Sequence, residues 1–210
     1  MTGDPIAEAA AAARRGELIA LPTDTVYGIG TCPDDRAATA RLFAAKQRPR
    51  GLTLPVLVAS GDEARRLARF DERADRLAGA CWPGALTIVL ERSPESAGWD
   101  LGTDTTTIGL RVPRHPLALA VLAAAGPLAV TSANRSGSPP AATCEELEAA
   151  FGDLIGINLS QDEPLRGEPS AVIDLSGEEV RVLRPGAWSP EVLAALSAGE
   201  DPLLDSRPSP

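Results

Sequence analysis

Hydrophobic positions along this chain fall alternately at helical spacing and in short unbroken runs. Asp4-Pro5 supplies an N-cap and a first-turn proline, and the Ala-rich stretch behind them runs to Arg15 and stops at Gly16. Leu18 to Leu21 then reads as a buried strand ended by Pro22. Asp34 caps a second predicted helix, which passes through Leu42 and Phe43 to Lys46. Strands are predicted at Leu54 to Ala59 and Ala85 to Glu91, with helices around Ala64 to Arg69 and Glu72 to Ala80 between them. Thr106 to Val112 and Leu128 to Thr131 follow as strands on either side of a helix from Pro116 to Ala125. Thr143, with Glu146 three residues on, has the capping-box pattern of a helix start. Strands near Leu154 to Leu159, Ala171 to Leu175 and Val180 to Leu183 come next, then a helix from Pro190 to Leu196. The last two strands are spaced like a hairpin, which argues for a mixed sheet in one α/β domain.

Size and charge narrow the classes. A chain of 210 residues can bury a sizeable core. Lys and Arg number 20 against 29 Asp and Glu, a formal net charge of -9. Such a surface repels nucleic acid overall and leaves room for a local basic pocket. Cys32, Cys81 and Cys144 are widely spaced with no secretory segment before them, and read as reduced thiols of a cytoplasmic protein. No apolar run approaches the roughly 18 residues of a membrane-spanning helix. Residues 199–210, rich in Pro, Asp and Ser, are expected to form a disordered tail.

Several chemistries are removed by inspection. His115 is the single histidine, which rules out multi-histidine metal centres, and no group of metal ligands stands out. There is no phosphate-binding Walker loop and no G-x-S-x-G elbow, and Gly28-Ile29-Gly30 lacks the third glycine of a dinucleotide fingerprint. His115 itself, between Arg114 and Pro116 ahead of a helix, reads as structural.

Cations and hydroxyls remain. Lys46 and Arg48 sit two apart at a helix end, where they either complement the helix dipole in solvent or turn together into an anion pocket. Arg111 interrupts the apolar run Ile108 to Val112 and needs an anionic partner, which is either a protein carboxylate or a ligand. Thr105 to Thr107 also serve as plain strand formers. The segment Ser132-Ala133-Asn134-Arg135-Ser136-Gly137 directly follows a strand, the place where α/β sheets bind ligands, although such residues also fill turns for backbone reasons. Pro22-Thr23-Asp24-Thr25-Val26-Tyr27-Gly28 likewise sets hydroxyls and an acid at a strand end.

Together these segments resemble the YrdC family of threonylcarbamoyl-AMP synthases. The resemblance runs from about Gly16 to the helix after Trp188 and is carried, in order, by PTDTVYGIG, KQRP, WPGALTIVL, TIGLRVPRHP, SANRSG, the Gly167 to Asp174 stretch and LRPG. It implies a single YrdC-like catalytic domain over residues 1–198, a twisted mixed parallel/antiparallel sheet with surrounding helices and a concave central cavity. The implied reaction condenses L-threonine, bicarbonate and ATP to threonylcarbamoyl-AMP and pyrophosphate, with Mg2+ carried by the nucleotide. The product passes to a tRNA threonylcarbamoyltransferase, as the first step toward N6-threonylcarbamoyladenosine, and neither stable nucleic-acid binding nor a membrane is involved. Positioning and charge neutralisation carry such a reaction without an enzyme nucleophile.

By the family pattern Lys46 and Arg48 are the catalytic cations, with Lys46 facing the phosphates. Arg48, Thr107, Asn134 and Arg184 line the ATP site, and Thr25, Arg111, Ser132 and Ser170 hold threonine, with Arg111 against its carboxylate. The chain departs from the pattern at Leu52, at Leu57 where some relatives have histidine, at Pro140-Ala141-Ala142, and at Ala171 where a threonine hydroxyl is lost. Two other classes compete. One is an RNA-binding or ribosome-assembly module of the same fold, for which aromatics at 3% of the chain offer few stacking platforms. The other is the carbamoyl-adenylate chemistry of hydrogenase-maturation carbamoyltransferases, whose zinc-finger-like cysteine motifs this sequence lacks.

Overall fold

Side-chain caps set most of the helix starts. In the computed structural model, which describes residues 3–135, 137–161, 163–165, 167–186 and 188–200, Asp4 caps α1 (Pro5–Arg14) by accepting from the Ile6 amide at 3.0 Å. Ser136 and the expected tail beyond residue 200 lie outside the described residues. The chain continues through β1 (Ile19–Leu21), β2 (Gly28–Thr31), α2 (Arg36–Lys46), β3 (Val56–Leu57), α3 (Gly61–Leu67) and α4 (Glu72–Cys81). Next come β4 (Leu86–Glu91), β5 (Thr107–Arg111), α5 (Pro116–Ala125), β6 (Leu128–Ser132) and α6 (Cys144–Phe151). A 3-10 turn at Gly152–Leu154 leads to β7 (Ile157–Asn158), β8 (Ala171–Asp174), β9 (Arg181–Arg184) and α7 (Pro190–Ala198).

Several elements differ from expectation. Asp35 rather than Asp34 caps α2, because its carboxylate accepts from both the Ala37 and Ala38 amides, at 2.8 and 3.1 Å. The strand expected over residues 54–59 is reduced to Val56–Leu57. Pro55 has no N–H to give a ladder, and its carbonyl instead takes the Val130 amide at 3.0 Å. α7 extends two residues further than expected and closes on Gly199 in the left-handed region, at φ 84°. Glu200 donates to the Ala195 carbonyl, so the expected tail does not begin at residue 199. β2 was not expected at all. Its two glycines weaken strand propensity, yet they let β2 approach β6, where a Cβ on Gly30 would stand 2.6 Å from the Ala129 carbonyl oxygen.

The nine strands form one mixed sheet in the order β7-β1-β2-β6-β3-β5-β4-β8-β9, parallel at β7/β1, β3/β5 and β4/β8 and antiparallel elsewhere. On one face, α1 and α5 bury Ala9, Ala12, Val121 and Leu122 against Ile19, Leu21, Leu128 and Val130. On the other face Leu42, Phe43, Leu77, Leu147 and Leu193 cover Ile29, Val56, Ile88, Leu110 and Ile173.

Side chains alternate along a strand, so this second core takes every other residue of β4, β5 and β8. The remaining set, Thr87 and Val89, Thr107, Gly109 and Arg111, Val172 and Asp174, points to the first face. The α1/α5 core contains no residue of these three strands, and that uncovered half of the sheet is the wall of a concavity.

Candidate active site

The concavity encloses about 470 Å3. Small and apolar residues, among them Gly28, Gly109, Val89 and Val130, line part of it; hydroxyls of Thr23, Thr25, Thr87, Thr107, Ser132 and Ser170, with Arg48, Arg111 and Arg184, supply the polarity. Of the predicted site residues, Thr25, Arg48, Thr107, Arg111, Ser132, Ser170 and Arg184 meet here from segments far apart in sequence. Lys46 and Asn134 are not among the lining residues.

Arg111 is 6% exposed and held on three sides. It donates from Nε to the Gly84 carbonyl at 2.9 Å, from Nη1 to Thr25 Oγ1 at 3.1 Å and from Nη2 to Asp24 Oδ1 at 2.7 Å. Burial pushes its pKa below the ordinary arginine value, and Asp24 offsets part of that shift. Asp24 also accepts from the Arg114 amide at 2.9 Å. The anionic partner required by the sequence is therefore a protein carboxylate, and two of the five guanidinium donors remain for a ligand.

Arg48 and Arg184 are partnered differently. Arg48 donates to the carbonyls of Leu52 at 2.8 Å and Thr53 at 3.0 Å, and Arg184 donates to the Ser170 carbonyl at 2.8 Å and Ser170 Oγ at 3.3 Å. Among the described residues neither forms a salt bridge; the only cavity-lining arginine that does is Arg111. Desolvation lowers the pKa of both, and Arg184 lowers that of Arg48 further by repulsion.

Thr107 donates to the Asp104 carboxylate, which also takes the Thr106 hydroxyl and amide at 2.8 Å each. Burial opposes the Asp104 charge, but these hydrogen bonds outweigh it and hold its pKa at about 2. The cavity thus carries an ionised carboxylate beside its cations.

Lys46 is where structure and expectation part. Its side chain is buried at the end of α2, and all three ammonium donors go to the loop after β6: to the Ser132 carbonyl, the Asn134 carbonyl and Asn134 Oδ1. The Lys46 ammonium thus sits against that loop and is not among the cavity-lining residues. The helix end delivers the lysine to the loop's backbone, where the Ser132 carbonyl also takes the Asn134 amide at 3.0 Å. Asn134, expected at the nucleotide, likewise spends its amide on the carbonyls of Arg135 and Ser138.

His115 bonds Gln161 Oε1 through Nε2 at 2.8 Å, away from the cavity, which agrees with its structural reading. A shallower groove of about 830 Å3 beside Gly16 also holds arginines, but Arg15 is engaged by Glu17 and Arg41 by the Gly16 carbonyl.

Sequence reasoning left out Thr23, Thr87, Asp104 and Asp174, all in the lining. Alternation along the strand would have assigned Thr87, and the Asp104-x-Thr106-Thr107 spacing is that of a side chain capping its own turn.

A hydroxyl- and guanidinium-lined hollow on the bare half of a mixed sheet defines an α/β domain built to hold a compact anion. The chain belongs to the Sua5/YciO/YrdC family, described as telomere recombination, whose model matches residues 11–186. A curated relative from Mycobacterium tuberculosis is 41% identical over 192 residues, covering 91% of this chain and 88% of the relative. A Chromohalobacter salexigens protein named threonylcarbamoyl-AMP synthase is 40% identical over 185 residues, covering 86% of this chain and 98% of its own length. Among solved structures, Pyrococcus abyssi Sua5 complexed with L-threonine superposes with a TM-score of 0.82 at 33% identity. The match covers 93% of this chain and 58% of that longer one.

Proposed function

We propose that this chain is a threonylcarbamoyl-AMP synthase, which condenses L-threonine, bicarbonate and ATP to threonylcarbamoyl-AMP and pyrophosphate. The observation that carries the reading is the pair Arg48 and Arg184, two guanidiniums at one cavity that repel each other and form no salt bridge among the described residues. A polyphosphate relieves that repulsion, and the charge developing on it in the transition state is stabilised by the same groups. Arg111, paired with Asp24, keeps two donors and suits a single carboxylate, that of threonine, with Thr25, Ser132 and Ser170 beside it.

In this reading the threonine amine captures CO2 from bicarbonate as a carbamate. A carbamate oxygen attacks the α-phosphorus, the bond to the bridging oxygen breaks, and pyrophosphate leaves. Arg48, Arg184 and Thr107 hold the nucleotide. Lys46 and Asn134 act from behind the wall by fixing the loop that carries Ser132.

Magnesium carried by the triphosphate fits the lining, because Asp104 and Thr107 offer hard oxygen donors of the kind it takes through water. No group of three or more acidic, histidine or cysteine side chains among the described residues offers it a cage of its own. The ion would neutralise phosphate charge. The reaction belongs in the cytoplasm, with the product handed to a tRNA threonylcarbamoyltransferase, and the whole of residues 1–198 acts as one catalytic domain. No helix among the described residues is long and apolar enough to cross a membrane.

The test is pyrophosphate release from ATP, with threonine and bicarbonate omitted in turn. Release is expected only with both present, and release indifferent to threonine overturns the reading.

A further inference from the structure

Thr87 on β4 and Ser170 just before β8 are both buried, line the cavity, and lie hydroxyl to hydroxyl at 3.1 Å. The pairing of β4 with β8, with Thr87 opposite Val172, places them diagonally on the cavity face. Each hydroxyl has one proton to give. One proton is spent between the two oxygens, and Ser170 Oγ also accepts from Arg184 Nη2 at 3.3 Å. Among the described residues neither oxygen has a further acceptor within reach, so one O–H is left over in a buried place. Gly109, opposite Val89 and diagonal to Thr87, keeps the space beside it open: a Cβ there would come 3.3 Å from Thr87 Cγ2.

We infer that Thr87, through this pair, is a specificity-determining residue that presents the spare O–H to the β-hydroxyl oxygen of the substrate amino acid. The inference rests on the reading above. Arg111 takes the carboxylate and the amine is the nucleophile, which leaves the β-hydroxyl as the acceptor still to be matched. A site built to pair with a substrate hydroxyl rejects the analogue that lacks it, because its own donor is then stranded.

The experiment is calorimetric binding of L-threonine and of L-2-aminobutyrate, which lacks the hydroxyl, to wild type, Thr87→Val and Thr87→Ser. Wild type is expected to favour threonine. Thr87→Val, nearly isosteric, is expected to lose about tenfold or more in threonine affinity with 2-aminobutyrate unchanged, while Thr87→Ser restores the preference. A Thr87→Val protein that keeps the wild-type preference, or weakens both amino acids alike, overturns the inference while leaving the proposed activity standing. Wild type that binds neither amino acid and releases no threonine-dependent pyrophosphate overturns both.

Discussion

Lys46 reaches across 88 residues of sequence to donate to Asn134 Oδ1 at 2.8 Å, and its other two donors close on the backbone of the same loop. Ser132 Oγ donates to that same Oδ1 at 2.6 Å, so the orientation of a cavity-lining hydroxyl depends on a lysine outside the cavity. Lys46→Met removes the three donors and takes from the Asn134 carbonyl its donor among the described residues, a loss of about 1–3 kcal/mol. The expected result is a pyrophosphate-release rate at least about tenfold lower, the effect of about 1.4 kcal/mol on the barrier, together with a lower melting temperature. Wild-type rate in this variant would show that the loop holds its shape unaided.

The same lysine sets a pH dependence. Burial pushes its pKa down from 10.5 to about 8, and repulsion by Arg48 adds to the shift. The unfolded chain therefore holds this proton more tightly, and between about pH 8 and 10.5 the Lys46 contribution to stability rises with pH. Activity runs the other way, since the neutral amine has one donor fewer and no charge. Pyrophosphate release is expected to fall with a midpoint near pH 8 while the fold shows no weakening from this group. The alkaline limb should be missing from the pH profile of Lys46→Met; its persistence there would assign it to another group.

Among the described residues Asp24 and Arg111 form the one ion pair at the cavity with both side chains sheltered, at 15% and 7% exposure. Removing the acid leaves a buried guanidinium uncompensated, so Asp24→Ala is expected to cost about 3–5 kcal/mol. Asp24→Asn keeps an acceptor for the Arg114 amide and should cost less. Adding Arg111→Met to Asp24→Ala should recover part of the loss, because the stranded charge is gone. Urea midpoints of wild type, Asp24→Ala, Arg111→Met and the double variant close the cycle. An Asp24→Ala cost under about 1 kcal/mol would mean that the pair contributes little.

The sequence pattern was readable wherever period and chemistry agreed. In β5 the apolar Ile108 and Leu110 gave the strand and the misplaced Arg111 gave the site, because alternation sends the two sets to opposite faces. β2 was hidden because Gly28 and Gly30 serve a close approach to β6 that only tertiary structure reveals. The partnership of Thr87 with Ser170 was hidden for a similar reason: strand pairing brings the two together. Lys46 was identified by residue type, but its contacts with the loop after β6 were not legible, since nothing in KxR tells which segment a helix end meets.

Arg48 and Arg184, without a salt bridge among the described residues, are expected to make the cavity a sink for polyanions. At a hundred times its dissociation constant a bound ligand adds about 2.7 kcal/mol, and for a chain of this size that raises the melting temperature by roughly 5–10 °C. ATP and pyrophosphate are each expected to do so, with the shift declining as salt is raised. Arg48→Gln and Arg184→Gln should each diminish it, and the double variant should abolish it. Full shifts in the double variant would place the anion elsewhere.

Gly28 and Gly30 occupy alternate positions of β2 against β6, yet their tolerance to a methyl group should differ in kind. A Cβ on Gly28 meets only a side-chain methyl closely, Val130 Cγ1 at 2.5 Å, with backbone atoms no nearer than 3.7 Å. A Cβ on Gly30 meets Val130 Cγ2 and the Ala129 carbonyl oxygen, both at 2.6 Å, and the carbonyl belongs to the sheet ladder. Each alanine is expected to destabilise by about 1–3 kcal/mol through overpacking, less about 0.4–1 kcal/mol returned by a stiffer unfolded chain. Val130→Ala should then relieve Gly28→Ala, giving a favourable coupling in a double-mutant cycle, and should relieve Gly30→Ala far less because the carbonyl stays where it is. Denaturant midpoints of the six proteins measure both couplings. Equal couplings would mean that β2 shifts as a whole to accept either methyl, and the close approach to β6 would then not be what requires glycine at these two positions.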